Sequence, residues 1–165
     1  MTEYTITPMK TPAEMDGKGY VHFKSWHETY TGLIDQTYLD HITAEACVAN
    51  AHNWPDNILL AKDRENVIGF IAYNAYRDDS LAETGEIYAL YVLQKYQGQK
   101  VGYRLMNAAM EQLDKYNTVA LWVLKKNEKA IHFYEKYGFK ADGTESEIQL
   151  GTSATELRMI YTKTT

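Results

Sequence analysis

The feature that most constrains the fold of this 165-residue chain is a change of hydrophobic period between Glu86 and Gly138. Glu86 to Leu93 reads as a strand. From Gly98 the period becomes helical, with Val101, Leu105, Ala109 and Leu113 on one face of a helix reaching about Tyr116. Val119 to Leu124 is then apolar on both faces, as expected of a central strand covered by helices on each side. Asn127 is positioned to cap a further helix that turns Ala130, Ile131 and Tyr134 inward and stops at Gly138. A strand–helix–strand–helix series of this length implies a parallel crossover.

The flanks imply antiparallel pairing. Ile58 to Ala61 and Val67 to Tyr76 bracket the polar tetrad Asp63-Arg64-Glu65-Asn66 and predict a hairpin. Glu147 to Leu150 and Ala154 to Tyr161 predict a closing hairpin through Gly151, and Tyr4 and Ile6 a short first strand. Thr11-Pro12-Ala13-Glu14 is a helix start, with Thr11 as N-cap and Glu14 closing a capping box. Gly17 and Gly19 predict a weakened helix before Trp26 and Tyr30, and a second helix is expected from Asp35 or Gln36 to about Ala51. With no repeat or linker, residues 1–165 read as one α/β domain. Its expected form is a mixed, mostly antiparallel central sheet flanked by helices on both faces.

Charge and composition narrow the function. Net charge is −5 and no basic run extends beyond Lys125-Lys126, which argues against a nucleic-acid partner. No apolar run approaches the roughly 20 residues that span a bilayer. Met1-Thr2-Glu3-Tyr4 lacks the basic start of a signal peptide, so the cytoplasm is the expected compartment. A lone Cys47 leaves no disulfide or cysteine cage to build. His27, His41, His52 and His132 show no metal-binding spacing, and His22 and His27 are five apart, so no metal site is expected.

Gln97-Gly98-Gln99-Lys100-Val101-Gly102 lies between a strand and a helix start, where unpaired N–H groups and the helix dipole favour an anion. By itself this fragment reads better as an ordinary strand-to-helix turn, because short glycine patterns are common. It lacks the Gly-Lys-Ser/Thr ending of a Walker loop and the three-glycine dinucleotide spacing.

Its neighbours add specificity. Glu86-Ile87-Tyr88-Ala89-Leu90-Tyr91-Val92 followed by Tyr96-Gln97-Gly98-Gln99-Lys100-Val101-Gly102-Tyr103 resembles the strand and pyrophosphate loop of the GNAT superfamily of N-acetyltransferases. Asn127-Glu128-Lys129-Ala130-Ile131-His132-Phe133-Tyr134, continuing to Gly138-Phe139, is similar to that superfamily's second signature, Asn-x-x-Ala-x-x-Phe-Tyr-x-x-x-Gly-Phe. The resemblance implies a GNAT-like fold and transfer of an acetyl group from acetyl-coenzyme A to a primary amine. It places coenzyme contacts on Leu90, Tyr91, Val92, Gln97, Gly98, Gln99, Lys100, Val101, Gly102, Tyr103, Asn127 and Tyr134. Lys100 stands where the family motif has its first glycine; the expectation is a place in the first helical turn, where lysine is harmless and adds positive charge.

Acetyl transfer needs a deprotonated amine, a stabilised carbonyl oxygen and an accommodated thiolate. Period two puts Glu86, Tyr88, Leu90 and Val92 on one face. The resemblance sets the Leu90 N–H near the thioester carbonyl, Glu86 at the position of a general base, and the Tyr134 hydroxyl at the coenzyme sulfur. Each has a plainer reading: a solvated strand-end carboxylate for Glu86, simple packing for Tyr134, and a helix cap for Asn127. Ser25 to Ile34 resembles the segment lining the acceptor cleft in some small-molecule members of that superfamily, which makes Trp26, Glu28, Tyr30 and Asp35 the candidate acceptor contacts, with amphipathic packing the alternative for Trp26. The expected acceptor is a small-molecule amine such as a polyamine. Alternatives are a protein amino terminus or lysine, and a coenzyme A-binding module without turnover; a homodimer is compatible with each.

Overall fold

A computed structural model describes residues 3–163. In chain order the elements are β1 (Thr5–Pro8), α1 (Pro12–Tyr30), α2 (Gln36–Asp40), α3 (Ala44–Asn53), β2 (Ile58–Asp63) and β3 (Asn66–Ala75). They continue as β4 (Thr84–Val92), α4 (Val101–Gln112), β5 (Thr118–Leu124), α5 (Glu128–Tyr137), β6 (Lys140–Leu150) and β7 (Thr152–Thr162). The strands form one 7-stranded sheet in the order β1-β2-β3-β4-β5-β7-β6. Only β4 and β5 pair in parallel, across the crossover through α4, so the sheet is mixed and mostly antiparallel as expected.

Two apolar layers sandwich the sheet. On one face Val101, Leu105, Met106 and Ala109 of α4 pack on Leu59, Ile71, Ile87, Leu121 and Met159, with α5 beside them. On the other, Val21 of α1 packs on Ile58, Leu60 and Phe70. α1 lies over β3 and β4.

Several local expectations hold for local reasons. Thr11 accepts from the Glu14 N–H at 3.1 Å while Glu14 accepts from the Thr11 N–H at 3.0 Å, completing the capping box. The Lys10 and Thr11 N–H groups, both donating to it, hold the Glu14 carboxyl down to about 2. The closing hairpin exists and is longer than expected, with Gly151 at φ +83° in its turn.

Three expectations are corrected. First, α1 is unbroken through Gly17 and Gly19, because these glycines make room for neighbours. A Cβ on Gly17 would lie 2.6 Å from Val67 Cγ2, and one on Gly19 would lie 2.5 Å from Val48 Cα. Second, the helix expected from about residue 35 to 51 is two. Asp35 caps α2 through the Tyr38 N–H, and Thr43 starts α3 afresh by capping Ala46. Third, Glu86 does not share a face with Leu90 and Val92. Opposite β3, Ala72 pairs with Ala89 and Tyr73 with Ile87, so Tyr88 is an extra residue on β4. This bulge puts Ile87 in the α4 layer with Leu90 and Val92, and turns Glu86 to the α1 face.

The packing of Gly19 makes a test in which two effects oppose. Helix propensity alone predicts that Gly19→Ala stabilises by about 1 kcal/mol. Contact with the α3 backbone predicts a net loss of roughly 1–3 kcal/mol. A lower urea midpoint for the alanine variant, with unchanged m-value, is the expected result.

Candidate active site

The site begins where β4 and β5 part. They pair only from Thr84–Thr118 to Ile87–Leu121, whereas β3 follows β4 to Val92 and β7 follows β5 to Leu124. Beyond Ile87 the β4 backbone therefore has a strand partner on one side alone. The Leu93 N–H bonds the Ile68 carbonyl at 2.9 Å. Alternation then gives the groups of Tyr91 and Ala89 to β3 and points those of Leu90 and Val92 into the gap. Gln97 Nε2 reaches back to the Val92 carbonyl at 3.1 Å, which agrees with that direction. A row of oriented, unpaired amides in a cleft suits an extended amide-bearing chain and a carbonyl oxygen gaining charge.

At the end of this row stands the α4 start. The first helical bond runs from the Arg104 N–H to the Lys100 carbonyl at 3.0 Å, leaving the N–H groups of Val101, Gly102 and Tyr103 without helical partners. Gly98 has φ +81° and faces open space. The Tyr4 hydroxyl donates to the Gln99 carbonyl at 3.0 Å, and Lys129 Nζ donates to Gln97 Oε1 at 2.6 Å. The buried Gln99 Oε1 has no hydrogen-bond partner among the described residues. Lys100 is not in the helical first turn: it is the N-cap, at φ +64° and ψ 18°. The position does demand the left-handed conformation that the missing glycine would adopt freely. Tyr103 is 49% exposed and packs on Tyr137, with ring centroids 5.6 Å apart.

α5 closes the opposite side of the gap. Asn127 is buried, and its Oδ1 caps the helix by accepting from the Ala130 N–H at 3.2 Å. The half-buried Tyr134 stacks edge-on against Phe133 and Phe139. Its hydroxyl makes no hydrogen bond with a described residue, and burial, aided by the nearby Tyr30 hydroxyl, raises its pKa well above the ordinary phenol value. It stays protonated at neutral pH and is available as a donor. Tyr30 and Tyr91 meet hydroxyl to hydroxyl at 2.8 Å, and burial raises both. The Tyr91 backbone is engaged by β3, and its side chain belongs to the α1 face rather than to the coenzyme row.

The remaining candidates separate. Glu86 is 0% exposed and fully engaged: its Oε1 accepts from the Arg77 backbone N–H at 3.2 Å, and both oxygens accept from the Arg77 guanidinium, Oε2 through Nε at 3.0 Å and through Nη2. Glu28 is taken by the Gln94 N–H at 3.1 Å and lines a separate cavity beside Lys24 and Lys95. Trp26 packs against Tyr30, centroids 4.7 Å apart. Asp35 caps α2 and lines a cavity of about 480 Å³ between the α1–α2 connection, the end of β5 and the β6–β7 turn.

Sequence reasoning missed the polar cluster on the α1 face beyond the helix. The Arg77 guanidinium lies 5.8 Å from the Trp122 ring, as does that of Arg158. Arg158 also bonds Asp142 at 2.7 Å and the Tyr76 hydroxyl at 3.3 Å. Glu156, two residues before Arg158, shares their face. The overlooked signal was two charges, Glu156 and Arg158, at alternate positions of the second strand of the closing hairpin.

The profile of the acetyltransferase (GNAT) family matches residues 20–139. The chain belongs to this family. It is accordingly an N-acetyltransferase that uses acetyl-coenzyme A. An uncharacterized N-acetyltransferase of Archaeoglobus fulgidus is 33% identical over 116 residues, 65% of this chain and 76% of that one. A spermidine N(1)-acetyltransferase of Thermoplasma acidophilum is 26% identical over 133 residues, 74% of this chain and 80% of that one. Among solved structures, the PaiA N-acetyltransferase of Thermoplasma acidophilum in complex with coenzyme A has a TM-score of 0.73 at 22% identity, covering 98% of this chain and 99% of that one. Among the described residues no helix is long and apolar enough to cross a membrane.

The left-handed Lys100 gives a direct test of the loop. Its conformation costs a non-glycine residue about 1–2 kcal/mol, against which glycine's own entropy offsets about 0.5–1 kcal/mol. Lys100→Gly is expected to raise the urea midpoint, through a net stability gain of up to about 1.5 kcal/mol. Lys100→Val, whose branched side chain tolerates positive φ poorly, is expected to lower it.

Proposed function

We propose that the enzyme acetylates a primary amine of a small molecule, with polyamines the first class to test. The observation that carries this reading is the pair of spaces meeting at the end of β5. The gap between β4 and β5 presents the Leu90 and Val92 amides, and the adjoining cavity of about 480 Å³ has the volume of a small-molecule site. Asp35 in the cavity wall and the nearby carboxylate of Glu156 suit a cationic acceptor. The spermidine acetyltransferase relative supports the same class.

In this reading the Val101, Gly102 and Tyr103 N–H groups bind the coenzyme diphosphate, with Gln97, Gly98, Gln99 and Lys100 shaping the loop. The Leu90 N–H polarises the thioester carbonyl, and the Val92 backbone and Asn127 flank the pantetheine arm. The Tyr134 hydroxyl faces the departing sulfur.

Acetyl-coenzyme A is expected to raise the melting temperature by mass action, with ATP and NAD giving little shift. Gly102→Asp should abolish that shift, because its Cβ would already touch the Phe133 ring at 3.4 Å and its carboxylate would oppose the diphosphate. The deciding measurement is thiol release from acetyl-coenzyme A across polyamines, aminoglycosides, amino acids and peptides. Turnover with peptides alone would replace the small-molecule acceptor by a protein one. Tyr134→Phe keeps the ring packing and is expected to cut turnover by roughly 10²-fold or more with stability unchanged.

A further inference from the structure

Glu86 occupies the position at which the base was expected, yet it is closed to an acceptor. It has no exposed surface, and the Arg77 guanidinium and backbone N–H occupy its two oxygens. Loss of a proton acceptor of this kind would leave the enzyme dependent on free amine, which is scarce at neutral pH for an ammonium of pKa about 10.4.

A second carboxylate lies on the same face of the sheet. Glu156 of β7 stands opposite Leu124, the last residue of β5 and hence the mouth of the gap. Its strand neighbours Ala154 and Thr155 line the cavity of about 480 Å³, as do Leu124 and Lys125 across the ladder. Met159 belongs to the α4 layer, so the alternate positions Glu156 and Arg158 point to the α1 face, where Tyr30 and Tyr91 converge. The Glu156 carboxylate accepts no hydrogen bond from, and forms no ion pair with, any described residue, although the residue is half-buried.

We propose that Glu156, rather than Glu86, is the carboxylate that binds the acceptor ammonium and takes its proton. The inference rests on the N-acetyltransferase reading above and assigns the acceptor half of its site. One proton passes from the ammonium to a Glu156 oxygen, and the nitrogen lone pair forms the C–N bond to the acetyl carbon. The C–S bond breaks with its electrons on sulfur. The second nitrogen proton reaches that sulfur through the Tyr134 hydroxyl, giving the amide and the free thiol, and Glu156 returns its proton to solvent.

The surroundings match the task. Tyr30 faces Glu156 from α1, Arg77 from the loop after β3 and Glu86 from β4, while Leu124 and Ser146 opposite it carry no charge. Burial raises the Glu156 carboxyl above the ordinary glutamate value and outweighs the Arg77 charge, which itself is largely spent on Glu86. The ion pair of Glu86 thus has a positioning role: it fixes Arg77 and leaves Glu156 unneutralised.

The experiment compares wild type, Glu156→Gln and Glu86→Gln by kcat/KM against pH with spermidine or whichever amine the panel selects. For Glu156→Gln the expected loss at pH 7 is about 10²-fold or more, narrowing as pH approaches the amine pKa. The acetyl-coenzyme A melting shift should be intact. A raised carboxyl pKa means that ionised Glu156 costs stability, a cost that appears as pH rises through its folded value; its removal should therefore not lower the melting temperature at pH 7. Glu86→Gln should instead lower the melting temperature and, by freeing the Arg77 charge toward Glu156, move the rising limb of the pH profile to lower pH. Wild-type kcat/KM in Glu156→Gln overturns the proposal, as does a loss constant with pH. A ¹³C NMR titration of glutamate side chains, assigned by Glu156→Gln, judges it without any acceptor: Glu156 titrating at or below the ordinary carboxylate value overturns it. Failure of every amine in the panel would instead count against the small-molecule function, and the NMR result would still stand alone.

Discussion

The structure depends on the interruption of one strand pair. Parallel pairing between β4 and β5 stops at Ile87–Leu121, and the candidate site lies along the resulting opening. Buried backbone groups without partners are costly, and folded proteins rarely leave a row of them. Here the row is retained because both strands are held from their outer sides, β4 by β3 and β5 by β7, so the gap cannot close without breaking two long antiparallel ladders. The Tyr88 bulge accompanies the divergence and re-aims the side chains on either side of it.

The α4 start continues the same theme. Its first three N–H groups have no helical partner, and the loop before it carries two positive φ angles, at Gly98 and Lys100. One of these is held by a residue that resists it. The surrounding bonds, from Tyr4 to Gln99 and from Lys129 to Gln97, over-determine the turn and hold that strain in place. A loop with stored strain and unpaired donors has given up conformational freedom in advance, which would lower the ordering cost of binding the diphosphate proposed for it.

The two faces of the sheet divide the labour. The α4 face is apolar throughout and anchors the scaffold. The α1 face is apolar only where α1 covers it; over β5 and β7 it becomes a cluster of Arg77, Trp122, Glu156 and Arg158. Charges are tolerated there because almost all are paired, Glu86 with Arg77 and Asp142 with Arg158. The unpaired exception stands beside the opening.

The sequence by itself determined the elements whose causes are local. The Thr11–Glu14 capping box, the hairpin turn at Arg64, the period of α4 and the Asn127 cap each depend on residues within a few positions of one another, and each is legible as written. Two motifs, one at β4–α4 and one on α5, also sufficed to identify the family and the coenzyme. Tertiary structure decided the rest, because it depended on distant partners. Gly17 and Gly19, expected to weaken α1, instead let it pack closely, since Val67 and Val48 lie against them. One inserted residue, visible only in the register with β3, moved Glu86 to another face. Whether a carboxylate is spent or available is a matter of what stands within hydrogen-bond reach of it. Glu86 and Glu156 are chemically identical in the sequence, and only the fold gives Arg77 to one and the opening to the other.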